Sequence, residues 1–144
     1  MKTGLFAVLT LCLALFTSTV ARAEVPTDRL TGVWANVLGK HGNLSRITIT
    51  RLPSKALQIE VFGNCSPTAC DWGPKPLATY PTFVLDHGFN GDVQATAYYD
   101  HKFEVDFLTL RVLKNGNLEV NTYSESHQSN TQKTMHYRDV FWRS

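Results

Sequence analysis

The sequence is poor in cysteine, with three among 144 residues, and it has no run of like charges and almost no helical spacing of apolar residues. Each lack excludes something. With no second cysteine pair at characteristic spacing, no zinc motif can be read. The five histidines (His41, His87, His101, His127 and His136) form no H-x-H or H-x3-H pair, so they are read as unrelated surface residues and no metal or cofactor is assigned. The absence of a basic run removes the electrostatic case for nucleic acid or an anionic membrane as partner. G-x-S-x-G is missing, and no catalytic residue is assigned, which leans the reading away from an enzyme.

The one long apolar run lies at the start. Lys2 precedes Leu5 to Phe16, and Ala21-Arg22-Ala23 offers a small-x-small cleavage site, so 1–23 is read as a secretory signal peptide. The run is too short to span a bilayer comfortably, and no membrane span is expected after cleavage. Cys12 leaves with the leader, as do Lys2 and Arg22. The remainder, 24–144, then carries 12 basic and 12 acidic side chains and is read as a single domain in the periplasm or outside the cell.

Two cysteines stay, Cys65 and Cys70, flanking Ser66-Pro67-Thr68-Ala69. In an oxidising compartment one disulfide is the default. A redox pair would prefer C-x2-C.

Period-two alternation replaces helical spacing. Ile47 and Ile49 alternate with polar residues, a turn follows at Leu52-Pro53-Ser54-Lys55, and Leu57, Ile59 and Val61 return on one face. Pro74, Pro76 and Pro81 mark Leu77 to Tyr80 as an edge, a bulge or an irregular strand. Thr82 to Leu85 reads as a short strand, Asp86 to Asp92 as a loop, and Val93 to Tyr99 as a strand with Val93, Ala95 and Ala97 opposite Gln94, Thr96 and Tyr98. Phe107 to Leu113 and Leu118 to Tyr123 flank Asn115-Gly116, for which a type I′ turn is expected. Ser124 to Lys133 reads as an exposed polar loop, and Thr134 to Trp142 as the last strand. With Leu30 to Val37 this gives about eight strands: a single antiparallel up-and-down β-barrel, with a β-sandwich as the alternative.

Leu30 to Gly39 contains G-x-W-x-N, and this stretch resembles the first strand of avidin-type barrels; lipocalins share its G-x-W part. The resemblance implies that Trp34 closes one barrel end and that Arg138 or Arg143 from the last strand lies against it as a cation–π partner. Biotin is not expected, because Lys40 stands where avidins carry a hydroxyl residue and their later tryptophan motifs are missing. Cys65 to Gly73, C-S-P-T-A-C-D-W-G, is similar to a group of small exported bacterial proteins with a C-x-P-T-x-C-D-W-G signature. That likeness implies compartment and architecture.

Asp71 and Trp72 beside the disulfide loop form the rim of a ligand pocket in one reading; in the other, Trp72 covers the barrel end and Asp71 caps a turn amide. Tyr80, Tyr98 and Tyr123 join them as candidate ligand or partner contacts. Glu104 and Asp106 share one face of a strand, read as a solvated edge. The first functional expectation is an exported binding module for a small apolar or amphipathic molecule at the open barrel end. The alternative is a protein-interaction factor, such as an inhibitor of a secreted hydrolase or an envelope accessory protein, acting through Cys65 to Cys70 or Ser124 to Lys133.

Overall fold

The computed structural model describes residues 27–84, 88–127 and 134–144, without the side chains of 81–92. The expected leader, Asp86, His87 and the tail of the expected polar loop lie outside the described residues. Eight strands, β1 (Gly32–Asn36), β2 (Leu44–Arg51), β3 (Leu57–Gly63), β4 (Cys70–Val84), β5 (Gly88–Asp100), β6 (Glu104–Val112), β7 (Leu118–Ser126) and β8 (Thr134–Arg143), follow one another around a closed barrel. Every neighbouring pair is antiparallel, and Ala35 opposite Trp142 closes the seam between β1 and β8. The up-and-down barrel is therefore the fold, and a sandwich is not.

The alternation read from the sequence sets which side chains face inward. Ile47 and Ile49, then Ile59 and Val61, then Ala95 and Ala97, Leu108 and Leu110, Leu118 and Val120 all point into one buried core with Trp34 and Phe141. The barrel interior of eight strands is just wide enough for such side chains to fill, and they do fill the end that holds Trp34. Trp34 is fully buried and its Nε1 donates to the Leu30 carbonyl at 2.8 Å. The Arg143 guanidinium lies over the indole, 4.8 Å from the ring centroid, and its Nη2 donates to the Arg29 carbonyl at 2.7 Å. Arg138 faces outward instead and bonds Glu119.

Of the readings open for the proline-marked strand, the bulge is the one found: register shifts lie between Glu60 and Phe62 and between Pro81 and Phe83, where the missing proline N–H interrupts the ladder. Three local expectations are corrected. The expected loop at Asp86 to Asp92 is shorter, because Phe83 and Val84 pair with Phe89 and Gly88 and carry one long hairpin outward. The Asn115-Gly116 turn is not type I′, which needs positive φ at both residues. Only Gly116 has it (φ 87°), and the Gly116 N–H donates to the Leu113 carbonyl, giving a three-residue loop with glycine at the left-handed position. Finally, β7 runs on through Ser126, so Ser124 is a buried strand residue and not part of an exposed loop.

Candidate functional site

The two barrel ends differ in chemistry. Opposite the Trp34 end, the inward positions become polar: Asn36, Asp106, Thr122, Ser124 and Asp139 are all buried there. They follow the same phase as the apolar residues beneath them. Asp106 precedes Leu108 and Leu110 on the inner face of β6, and Thr122 and Ser124 continue the face of Leu118 and Val120 on β7. We call this end the mouth.

Two of these polar residues, Asn36 and Asp139, are satisfied internally. Asn36 Nδ2 donates to the Leu44 carbonyl at 2.6 Å and to Asp139 Oδ1 at 2.8 Å, and Asn36 Oδ1 accepts from the Leu38 N–H at 2.8 Å. Asp139 also accepts from the N–H groups of Asn43 and Leu44, at 3.1 and 3.3 Å. This knot ties the β1–β2 connection to β8. Gly42 crosses directly over it, and a Cβ there would overlap both side chains. Asn36 thus has its side chain committed within the protein, and Leu38 points to solvent.

Asp106 and Thr122 are left with atoms that make no hydrogen bond. Asp106 is 1% exposed; its Oδ1 accepts from the Ser124 hydroxyl. Its Oδ2 lies 3.3 Å from His101 Nε2, yet neither atom makes a hydrogen bond, and neither does Thr122 Oγ1. Native proteins pair nearly all such buried groups, so three together are notable. Burial pushes the Asp106 carboxyl above its usual range, against the pull of the Ser124 hydroxyl and His101. Burial and the nearby Asp106 likewise raise Glu104, with His101 pulling back. In a nucleophilic triad the imidazole stands between serine and carboxylate; here the carboxylate stands between them, so this order does not activate Ser124.

Aromatic rings wall this cluster. Trp72 meets Tyr99 and His101 edge-on, with centroids 5.4 and 4.9 Å away, and Tyr99 stacks on His101. Gly63 makes the approach of Trp72 feasible, since a Cβ there would stand 3.0 Å from the indole nitrogen. Tyr99 Oη donates to the Ile59 carbonyl at 3.2 Å, and burial first, then Glu60 and Asp71, pushes its phenol upward. Phe103, more than half exposed, stands beside His101 at the tip of the β5–β6 hairpin.

The residues singled out from sequence are distributed as follows. Cys65 and Cys70 are paired, with Cα atoms 5.4 Å apart. Asp71 Oδ1 accepts from the Gly73 N–H at 2.8 Å, which is a turn cap. Trp72 is half-buried against the core at the mouth. Tyr80, Tyr98 and Tyr123 do not line the interior: each occupies an outward position of its strand and is exposed, because its neighbours in the period-two pattern take the inner face. The mouth cluster is hidden in the sequence because Asp106 reads as a solvated edge residue, Ser124 as part of a loop and His101 as one of five scattered histidines. The phase of Leu108 and Val120 was the signal that places the first two inside. Among the described residues no three metal-ligating side chains converge, and no helix is long and apolar enough to cross a membrane. Set against family models, curated proteins and solved structures, the chain matches none.

Proposed function

We propose that the chain is an exported barrel that binds one small amphipathic molecule at its mouth. The observation that carries this reading is that three buried atoms make no hydrogen bond: Asp106 Oδ2 and His101 Nε2, which face each other at 3.3 Å beside the rings of Trp72 and Tyr99, and Thr122 Oγ1. A ligand head that donates hydrogen bonds, an amine or a hydroxyl, would satisfy the carboxylate and the hydroxyl together. Its apolar body would lie along the aromatic wall. A purely apolar ligand would leave the trio unpaired, so the amphipathic form of the reading is preferred. The paired Cys65 and Cys70 are compatible with an oxidising location, periplasmic or extracellular.

Tryptophan fluorescence, titrated with an alkylamine, an alkanol and an alkanoate of one chain length, tests this. Saturable binding of the amine or alcohol, weakened about tenfold by Thr122→Val, supports it, that being the expected effect of removing one buried hydrogen bond. Equal responses to all three compounds, or to none, would refute it.

The second reading, a protein-interaction factor, is favoured by one feature: every residue from Cys65 to Asp71 is exposed, so the stapled loop is open to a partner. Capture of one envelope or secreted protein by the wild type, but not by a variant with 66–69 replaced by glycines, tests it.

A further inference from the structure

The outer wall over β5–β8 is organised in rows. Strand register places Tyr98 opposite Phe107, Phe107 opposite Tyr123 and Tyr123 opposite His136. The first three are 56%, 42% and 41% exposed, so each ring presents a face to solvent. Tyr123 and His136 stack with centroids 4.7 Å apart. Four strands at the usual spacing make this aromatic row about 14 Å long. Directly beside it runs a polar row, with Thr109, Asn121 and Arg138 in register.

Glu119 gives the wall its second feature. It sits on the outer face and yet is only 2% exposed, because two arginines fold over it. Arg111 Nε donates to Oε1 at 2.6 Å and Arg138 Nε to Oε2 at 2.7 Å. Both arginine side chains are themselves more than half exposed. One carboxylate thus holds two cations side by side, leaving a net positive charge. They border a shallow depression of about 460 Å³ whose rim also carries Gln94, Thr109 and Asn121. Donors that are already held in place lose little freedom on binding, and a guanidinium fork matches a carboxylate.

We infer that this wall binds an acidic polysaccharide, with sugar faces laid along Tyr98, Phe107 and Tyr123 and uronate carboxylates on the Arg111–Arg138 pair. The charge selects an anion, and the amide and hydroxyl groups between rings and arginines suit sugar hydroxyls. An extended acidic peptide is disfavoured by the barrel itself. The rings stand on β5, β6 and β7, each paired on both sides, so a peptide backbone laid along them finds no ladder to join. This inference is independent of the mouth and shares no side chain with it.

Retention of the mature protein on immobilised polygalacturonate, dextran and polyglutamate at low salt decides the matter. The expected result is retention on polygalacturonate, none on dextran and much weaker retention on polyglutamate. Phe107→Ala combined with Tyr123→Ala should weaken the polygalacturonate interaction about tenfold, the equivalent of two lost aromatic contacts. These rings are outside the core, and an unchanged melting temperature shows the fold intact. Absence of retention on polygalacturonate overturns the inference. So does equal retention on polyglutamate with no effect of the ring variant, which would assign the wall to an acidic protein or to charge alone. Arg138→Gln, which keeps a polar side chain at the rim, should weaken polygalacturonate retention as well; full retention by that variant would also overturn it.

Discussion

Asp106 and Ser124 face each other across β6 and β7 at the barrel mouth, and the serine hydroxyl donates to the carboxylate. That bond fixes one carboxylate oxygen and leaves the other beside His101 without a hydrogen bond. Because burial raises the folded carboxyl, the folded chain holds this proton more tightly than the unfolded chain does. The stability contributed by protonated Asp106 is present at acid pH. It is lost as pH rises from the ordinary aspartate range, about pH 4, through the raised range of the folded group. Asp106→Asn keeps an acceptor for Ser124 and removes the charge. Denaturant unfolding should show it more stable than wild type at neutral pH by on the order of 1 kcal/mol, with the difference shrinking in acid. A variant less stable at neutral pH would contradict this.

Glu119 behaves in the opposite sense. Burial pushes its carboxyl up, but hydrogen bonds and charge from Arg111 and Arg138 outweigh that and hold it below the usual range. Its stabilisation is present above the ordinary glutamate range and is lost as pH falls through the lowered one. Both arginines are well exposed, so solvent screens much of the interaction. Glu119→Gln is expected to cost about 1 kcal/mol at neutral pH and little in strong acid, as read from urea midpoints at both ends.

Lys55 holds a left-handed backbone conformation (φ 66°) in the β2–β3 turn, the same place that Gly116 takes in the β6–β7 turn. Its N–H donates to the Leu52 carbonyl at 2.8 Å, as Gly116 does to Leu113. A side chain at such a φ costs about 1 kcal/mol. Lys55→Gly relieves that strain while adding freedom to the unfolded chain, so a net gain of about 0.5 kcal/mol is expected in thermal or chemical unfolding.

Gly42 presents the reverse case, since its φ of −82° is ordinary and space alone demands glycine. Gly42→Ala would drive a methyl group into the Asn36–Asp139 knot. A loss of about 2–3 kcal/mol is expected, from overpacking together with disrupted buried hydrogen bonds. A melting temperature equal to wild type would show that the knot yields without cost.

Alternation made the barrel legible. Ile47, Ile59, Ala95 and Leu108 each declare an inward face, and eight such strands with short turns leave few other architectures. Proline positions showed where β4 is irregular, because a missing donor is a local property. The mouth was harder to read, since a buried aspartate and a solvated one look alike until the strand's phase is followed through Leu108. Glu119 was beyond reach: its outward phase is legible, but its burial depends on two arginines brought alongside by register from β6 and β8. The turn at Asn115-Gly116 was located correctly and its type was not, because loop length rather than the dipeptide decided it.

Ligand binding at the mouth is tested most directly by native mass spectrometry of the protein, isolated gently from its own host. The account predicts an added mass of a few hundred daltons, roughly that of one drug-sized ligand, released on denaturation and diminished in Asp106→Leu. A wild-type mass equal to the polypeptide alone, or an adduct retained in full by Asp106→Leu, would contradict it.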